Sequence, residues 1–159
     1  MAFRVLDSSA FYAGIPFSSN EPRYITSLVY NEIEHIKKDH DAVQILIETK
    51  RLMISDPEHR FIITANNAAK KSGDFPNLSD EDVSTIALSL QLKAELVTDD
   101  FAISNVAKNL SIKVIPVMTS GIKNVIIWKY YCPGCKTDFS KVTECPRCGN
   151  RLKRKPMKN

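Results

Sequence analysis

No stretch of this chain is apolar for long enough to cross a bilayer. The longest clean run is Val125-Ile126-Ile127-Trp128, against the roughly 20 residues that a spanning helix needs. A secretory leader does not fit the first residues either, because Asp7 interrupts them before an apolar core can form. Secretion and membrane insertion are therefore not expected, and a cytoplasmic location is. Internal repeats and low-complexity tracts are also missing. The three histidines, His35, His40 and His59, stand in no ligand spacing and receive no role. Cysteine is absent from residues 1–121, and acid is scarce after them, with two Asp+Glu in residues 122–159.

The remainder reads as a soluble globular chain of 159 residues, 43% apolar and 25% charged, long enough for one domain and a small appendage. Its formal charge of +4 conceals a division: residues 1–121 carry −4 and residues 122–159 carry +8. We divide the chain into a first module over 1–121, a linker over 122–126, a cysteine ribbon over 127–151 and a basic tail over 152–159, the tail read as solvated and open to disorder.

In the first module, strands are expected at Phe3–Leu6, Arg51–Ser55, Glu95–Thr98 and Ile112–Val117. Helices are expected behind Ser8, over Thr26–Lys38 and Asp41–Lys50, after the cap Ser79, and over Phe101–Leu110. Residues 64–77, with Asn66-Asn67 and Lys70-Lys71-Ser72-Gly73, read as a mobile loop or partial helix. Strands alternating with helices predict an α/β fold with a central parallel sheet flanked by helices.

The acids occupy informative places. Asp7 and Asp99-Asp100 each follow an expected strand, where open parallel sheets put their ligand sites. Glu32 lies between Leu28 and Ile36 at helical spacing, and Asp82 precedes Ile86 by one turn. Carboxylates from four elements can thus converge at one end of the sheet. Like charges raise one another's pKa, and a divalent cation relieves the conflict. Oxygen ligands favour Mg²⁺ or Mn²⁺, and a pair of such ions suits phosphodiester cleavage. Each acid also has a structural reading: Ser79-x-x-Asp82 fits a helix cap, and Asp7, Asp99 and Asp100 can each cap the helix that follows.

The succession Val5-Leu6-Asp7-Ser8-Ser9-Ala10, Val29-Tyr30-Asn31-Glu32-Ile33, Leu78-Ser79-Asp80-Glu81-Asp82 and Leu96-Val97-Thr98-Asp99-Asp100-Phe101 resembles a PIN nuclease domain over most of residues 1–118. The resemblance implies a metal-dependent ribonuclease whose acids match at Asp7, Glu32, Asp82 and Asp100. It places Asp7, Asp82 and Asp100 on the metal directly, Glu32 as a ligand or through water, and Asp99, Ser8 (or Ser9) and Thr98 as auxiliaries.

In the second module, Cys132-Pro133-Gly134-Cys135 and Cys145-Pro146-Arg147-Cys148 form two CxxC pairs. Two such turns complete a tetrahedral zinc site with no open position, so the zinc is structural. A rubredoxin-type iron shares the same ligands. Disulfides are disfavoured without a secretion signal. Lys129, Lys136, Lys141, Arg147, Arg151, Lys153 and Arg154 surround the knuckles as a candidate RNA-binding surface. Trp128, Tyr130 and Tyr131 are either stacking platforms for unpaired bases or ribbon core.

A PIN-like domain followed by a Cys₄ ribbon is similar to the archaeal-type NOB (Nin-one-binding) family of ribosome-assembly endonucleases. The strings Leu96 to Ala107, Gly121 to Val125, Trp128 and the knuckles carry that similarity. It implies cleavage of precursor ribosomal RNA to form the mature 3′ end of the small-subunit rRNA, on the pre-ribosomal small subunit and in company with other assembly factors. The alternatives are a toxin-type PIN ribonuclease acting on tRNA or mRNA, a non-catalytic RNA-binding assembly factor, and a transcription-associated zinc-ribbon adaptor.

Overall fold

The computed structural model describes residues 3–33, 40–117, 128–136, 138–139 and 144–156. The first module runs β1 (Arg4–Leu6), α1 (Ser8–Tyr12), β2 (Arg23–Ile25), α2 (Ser27–Ile33), α3 (His40–Glu48), β3 (Leu52–Ile54), α4 (His59–Ser72), α5 (Asp80–Leu92), β4 (Glu95–Val97), α6 (Phe101–Asn109) and β5 (Val114–Ile115). The five strands are all parallel, in the order β3-β2-β1-β4-β5. From β1 the chain moves outward to β2 and β3, then returns across β1 to β4. The switch point, where such sheets open a crevice at their carboxyl ends, therefore lies between β1 and β4.

Side-chain alternation explains why the sheet needs helices on both faces. Val5 and Leu96 belong to one apolar cluster, with Ala65, Ala69, Ile86, Ile103 and Val106 of α4, α5 and α6. Their neighbours Leu6 and Val97 belong to the other, with Phe11, Val29, Ile33, Val43 and Leu46 of α1, α2 and α3. The period of two sends successive residues to opposite faces, and both faces are buried.

The expected alternation holds, with one alternative decided and one strand added. The two readings of residues 64–77 resolve in favour of the partial helix over the mobile loop: residues 64–72 belong to helix α4, which begins at His59. Its buried stripe is Ala65, Ala68, Ala69 and Ser72, small residues at helical spacing that allow close approach to α5. The polar Asn and Lys residues that read as turn formers lie between them, and the true stop is Gly73, with φ +85°. Strand β2, only three residues long and headed by an arginine, was not expected at all.

The second module contains β6 (Trp128–Tyr131), β7 (Asp138–Phe139) and β8 (Lys153–Pro156), an antiparallel sheet in the order β7-β6-β8. The tail expected over 152–159 thus begins as ordered ribbon. Leu152 is buried with Tyr130, Cys132 and Cys145, and Lys153–Pro156 pairs with β6 in the register Tyr130↔Arg154. The linker expected over 122–126 lies outside the described residues, as does Lys141.

Candidate active site and cysteine cluster

Asp7 leaves β1 where Thr98 leaves the neighbouring β4, because Leu6 and Val97 are register partners. Asp7 is 5% exposed, and both its oxygens are engaged. Oδ1 accepts from Ser9 Oγ at 2.6 Å and from the Ala10 amide at 3.4 Å. Oδ2 accepts from Thr98 Oγ1, which in turn accepts from the Asp100 amide at 3.0 Å. Burial pushes the Asp7 carboxyl above its ordinary pKa against these donors, and nearby Asp100 adds to the rise.

Asp100 caps α6, its Oδ1 accepting from the Ile103 amide at 2.9 Å. Asp82 closes a reciprocal capping box on α5: the Ser79 amide donates to Asp82 Oδ2 at 2.9 Å, and the Asp82 amide donates to Ser79 Oγ at 3.2 Å. Burial, then Asp100 and Glu81, raise the Asp82 pKa, against the Ser79 donors. Glu32, on the outer face of α2, is raised by partial desolvation and then by Glu81, Asp82 and Asp7, while a hydrogen bond from Ser8 opposes the rise. α2 is tied to α5 by Thr26 Oγ1 and Ser84 Oγ, 2.8 Å apart.

The structure therefore brings Asp7, Glu32, Asp82 and Asp100 to one end of the sheet, with Ser8 and Thr98 as hydrogen-bond partners of two of them. Asp99 turns away: its Oδ1 accepts from the Val117 amide at 2.7 Å, anchoring the chain after β5. Of the two serines offered as auxiliaries, Ser9 bonds Asp7 and Ser8 bonds Glu32. One participant was missed: Glu81 is a fifth carboxylate acting on Glu32 and Asp82. Glu81 was legible only through its adjacency to Asp82.

This donor set is oxygen alone, and the carboxyls of Asp7, Glu32 and Asp82 are raised by desolvation and then by other carboxylates. That is the condition a hard divalent cation relieves. The capping bonds do not compete with this reading, since Asp82 and Asp100 each commit one oxygen to a helix end.

In the ribbon, Cys132, Cys135, Cys145 and Cys148 present sulfurs all within 4.8 Å of one another. Among the described residues this is the one group of three or more potential ligands drawn so closely together. The Cys132–Cys148 sulfurs lie 3.4 Å apart and the Cys145–Cys135 sulfurs 3.8 Å apart, well beyond the roughly 2.05 Å of a disulfide. The Cys135 amide donates to Cys132 Sγ at 3.3 Å and chiefly lowers the Cys132 thiol to about 7, favouring the thiolate that metals bind. The neighbouring Cys148 and Cys145 sulfurs push the Cys135 thiol up to about 12, a conflict that a cation relieves, and four sulfurs so placed can hold one tetrahedral ion.

The ribbon docks on the first module through its aromatics. Tyr130 is buried, its hydroxyl donating to the Gly73 carbonyl and accepting from Asn77 Nδ2 at 3.3 Å. Trp128 meets Phe101 edge-on and carries the Arg154 guanidinium over its ring at 4.3 Å. Buried Asp74 accepts from Ser72 Oγ at 2.7 Å and Asn105 Nδ2 at 2.6 Å. Burial raises its pKa, opposed by those donors and by Arg154 and Trp128 across the interface. Of the candidate RNA-binding cations, Lys129 is 3.6 Å from Asp138, while Lys136, Arg147, Arg151, Lys153 and Arg154 are exposed.

The family described as the PIN domain of ribonuclease matches residues 5–92. Endoribonuclease Nob1 of Methanocaldococcus jannaschii is 37% identical over 163 residues, covering 100% of this chain and 80% of the relative. Endoribonuclease Nob1 of Pyrococcus abyssi is 33% identical over 157 residues, covering 97% and 94%. Ribonuclease VapC1 of Thermoplasma acidophilum is 36% identical over 123 residues, covering 77% of this chain and 63% of the relative. Since the Nob1 similarity runs through both the acid-bearing sheet and the cysteine knuckles, the chain belongs to the Nob1 family of endoribonucleases, with a PIN domain and a four-cysteine ribbon.

Proposed function

We propose that this endoribonuclease cuts precursor ribosomal RNA to form the mature 3′ end of the small-subunit rRNA, in the cytoplasm and on the pre-ribosomal small subunit. The observation that carries the reading is the convergence of Asp7, Glu32, Asp82 and Asp100, in a chain whose relatives named Nob1 span both modules.

Asp7, Asp82 and Asp100 would hold Mg²⁺ or Mn²⁺, with Glu32 as a further ligand or acting through water. When bound, the cation would offset the negative charge of the phosphate and make water a better nucleophile. The chain's own part is positioning. Thr98 and Ser9 fix both oxygens of Asp7, Thr98 also holds the Asp100 amide, and the Ser79 box orients Asp82. The cysteines would hold a structural Zn²⁺, keeping a basic ribbon against the nuclease module so that one surface retains the RNA and the other cuts it.

A toxin-type ribonuclease acting on tRNA or mRNA is the second reading, favoured by the similarity to ribonuclease VapC1. The docked ribbon stands against it. Incubation with a precursor small-subunit rRNA fragment and with tRNA, each with Mn²⁺, separates the two. Cleavage at the rRNA 3′ boundary with tRNA left intact supports the first, and the reverse pattern supports the second.

A further inference from the structure

Phe101 is the first residue of α6, next to Asp100, and the residue is 39% exposed. It belongs to neither apolar cluster that covers the sheet. Among the described residues its one aromatic ring contact is Trp128 of the ribbon, with centroids 6.3 Å apart and ring planes at 64°. Trp128 in turn carries Arg154 of β8 over its face at 4.3 Å. A side chain recruited only to pack on Trp128 would be buried by it. Instead, a continuous track of ring, ring and guanidinium begins one residue from the acid cluster and ends on the basic ribbon strand.

We infer that Phe101 is a base-stacking platform for the unpaired nucleotide beside the scissile phosphate, with Trp128 as its support and Arg154 as the cation that meets the RNA backbone on the ribbon side. The inference rests on the nuclease reading of the acid cluster. Every base offers a π-face, so an exposed ring tolerates any sequence but requires an unstacked base. Duplex RNA does not present one, so the platform selects single-stranded RNA. A T-shaped contact leaves a face of the Phe101 ring available to a base, and the cation–π contact with Trp128 fixes Arg154 in place.

The test uses the full chain carrying Asp7→Asn to prevent cleavage. Its ligands are a single-stranded RNA spanning the rRNA maturation site and the same RNA made abasic at either nucleotide flanking the scissile phosphate. The single tryptophan of the chain, Trp128, reports occupancy by its fluorescence. The intact RNA should bind roughly 5- to 150-fold more tightly than one of the abasic RNAs. Phe101→Leu, which keeps apolar bulk against Trp128, should bind intact and abasic RNA alike, and Phe101→Tyr should restore the preference. Discrimination that persists in Phe101→Leu, or is absent from its parent, overturns the platform. A preserved preference in a chain that, with Asp7 restored, cuts no RNA would support the platform and strike the nuclease reading alone.

Discussion

The Thr98 hydroxyl donates to Asp7 across two adjacent parallel strands while accepting the Asp100 amide. One side chain thus sets the position of two of the four converging acids. Thr98→Val keeps the shape and removes both bonds, leaving the buried Asp7 oxygen short of a donor. The expected loss is about 1.5–3 kcal/mol of stability, together with reduced cleavage. Thr98→Ser should recover both, as measured by thermal melting and RNA cleavage. Wild-type behaviour of Thr98→Val would contradict this arrangement.

Asp82 serves a helix end and, in our reading, a cation. The two roles separate at Ser79. Ser79→Ala should cost about 1 kcal/mol through the lost cap yet retain most cleavage. Asp82→Ala should lose a comparable cap contribution and cleavage as well. Equal activity in the two variants, measured under conditions where both are folded, would leave Asp82 with its capping role only.

The pH dependence follows from the raised pKa values of Asp7, Glu32 and Asp82. The folded state binds these protons more tightly than the unfolded chain, whose carboxyls titrate near about 4. The cluster's favourable contribution is therefore present in acid and is lost as pH rises through the folded values. A divalent cation takes the place of the protons. The rise in Tm produced by Mg²⁺ should accordingly be larger at pH 8 than at pH 5, and should shrink in Asp7→Asn. An Mg²⁺ shift that is independent of pH would count against cation binding at these acids.

Legibility in the sequence tracked how local the signal was. β1, β4 and the cap of α5 announce themselves by apolar runs ending in Asp7, Thr98 and Ser79, and the helix-capping motif at Ser79–Asp82 has the hydrogen bonds expected of it. α4 was legible only as one of two alternatives, loop or partial helix, because its buried face is made of alanine and serine, which packing against α5 favours but hydrophobicity does not mark. β8 was read as tail because Lys153, Arg154 and Lys155 are exposed and held in the sheet by backbone pairing. Asp99 and Asp100 were indistinguishable by composition, and the geometry separates them: Asp99 bonds the Val117 amide, while Asp100 lies near Asp7 and Asp82. Tyr130 resolved as core and not as a stacking platform, since its hydroxyl is committed to Gly73 and Asn77.

That commitment makes ribbon docking testable. Tyr130→Phe should cost about 1 kcal/mol. Gly73→Ala should cost more, because φ is +85° there and an added Cβ would stand 2.4 Å from the Trp128 carbonyl oxygen. Trp128 emission should shift toward that of exposed indole in Gly73→Ala. An unchanged spectrum and Tm in that variant would contradict the docked arrangement.

The cysteine cluster predicts one tightly bound Zn²⁺ per chain, lost in Cys132→Ser together with the melting transition of the ribbon. Elemental analysis checks the identity and stoichiometry. Stoichiometric iron in protein isolated from its native source would replace zinc in the account while leaving the four ligands as they are.

The most direct measurement is Mn²⁺-dependent cleavage of a precursor small-subunit rRNA fragment by wild type and by Asp7→Asn, with folding of both verified by melting. The wild type should cut at the mature 3′ boundary, and Asp7→Asn should be folded and inactive. Full cleavage by Asp7→Asn, or a folded wild type that binds the RNA and never cuts it, would contradict the assignment of the acid cluster as the nuclease centre.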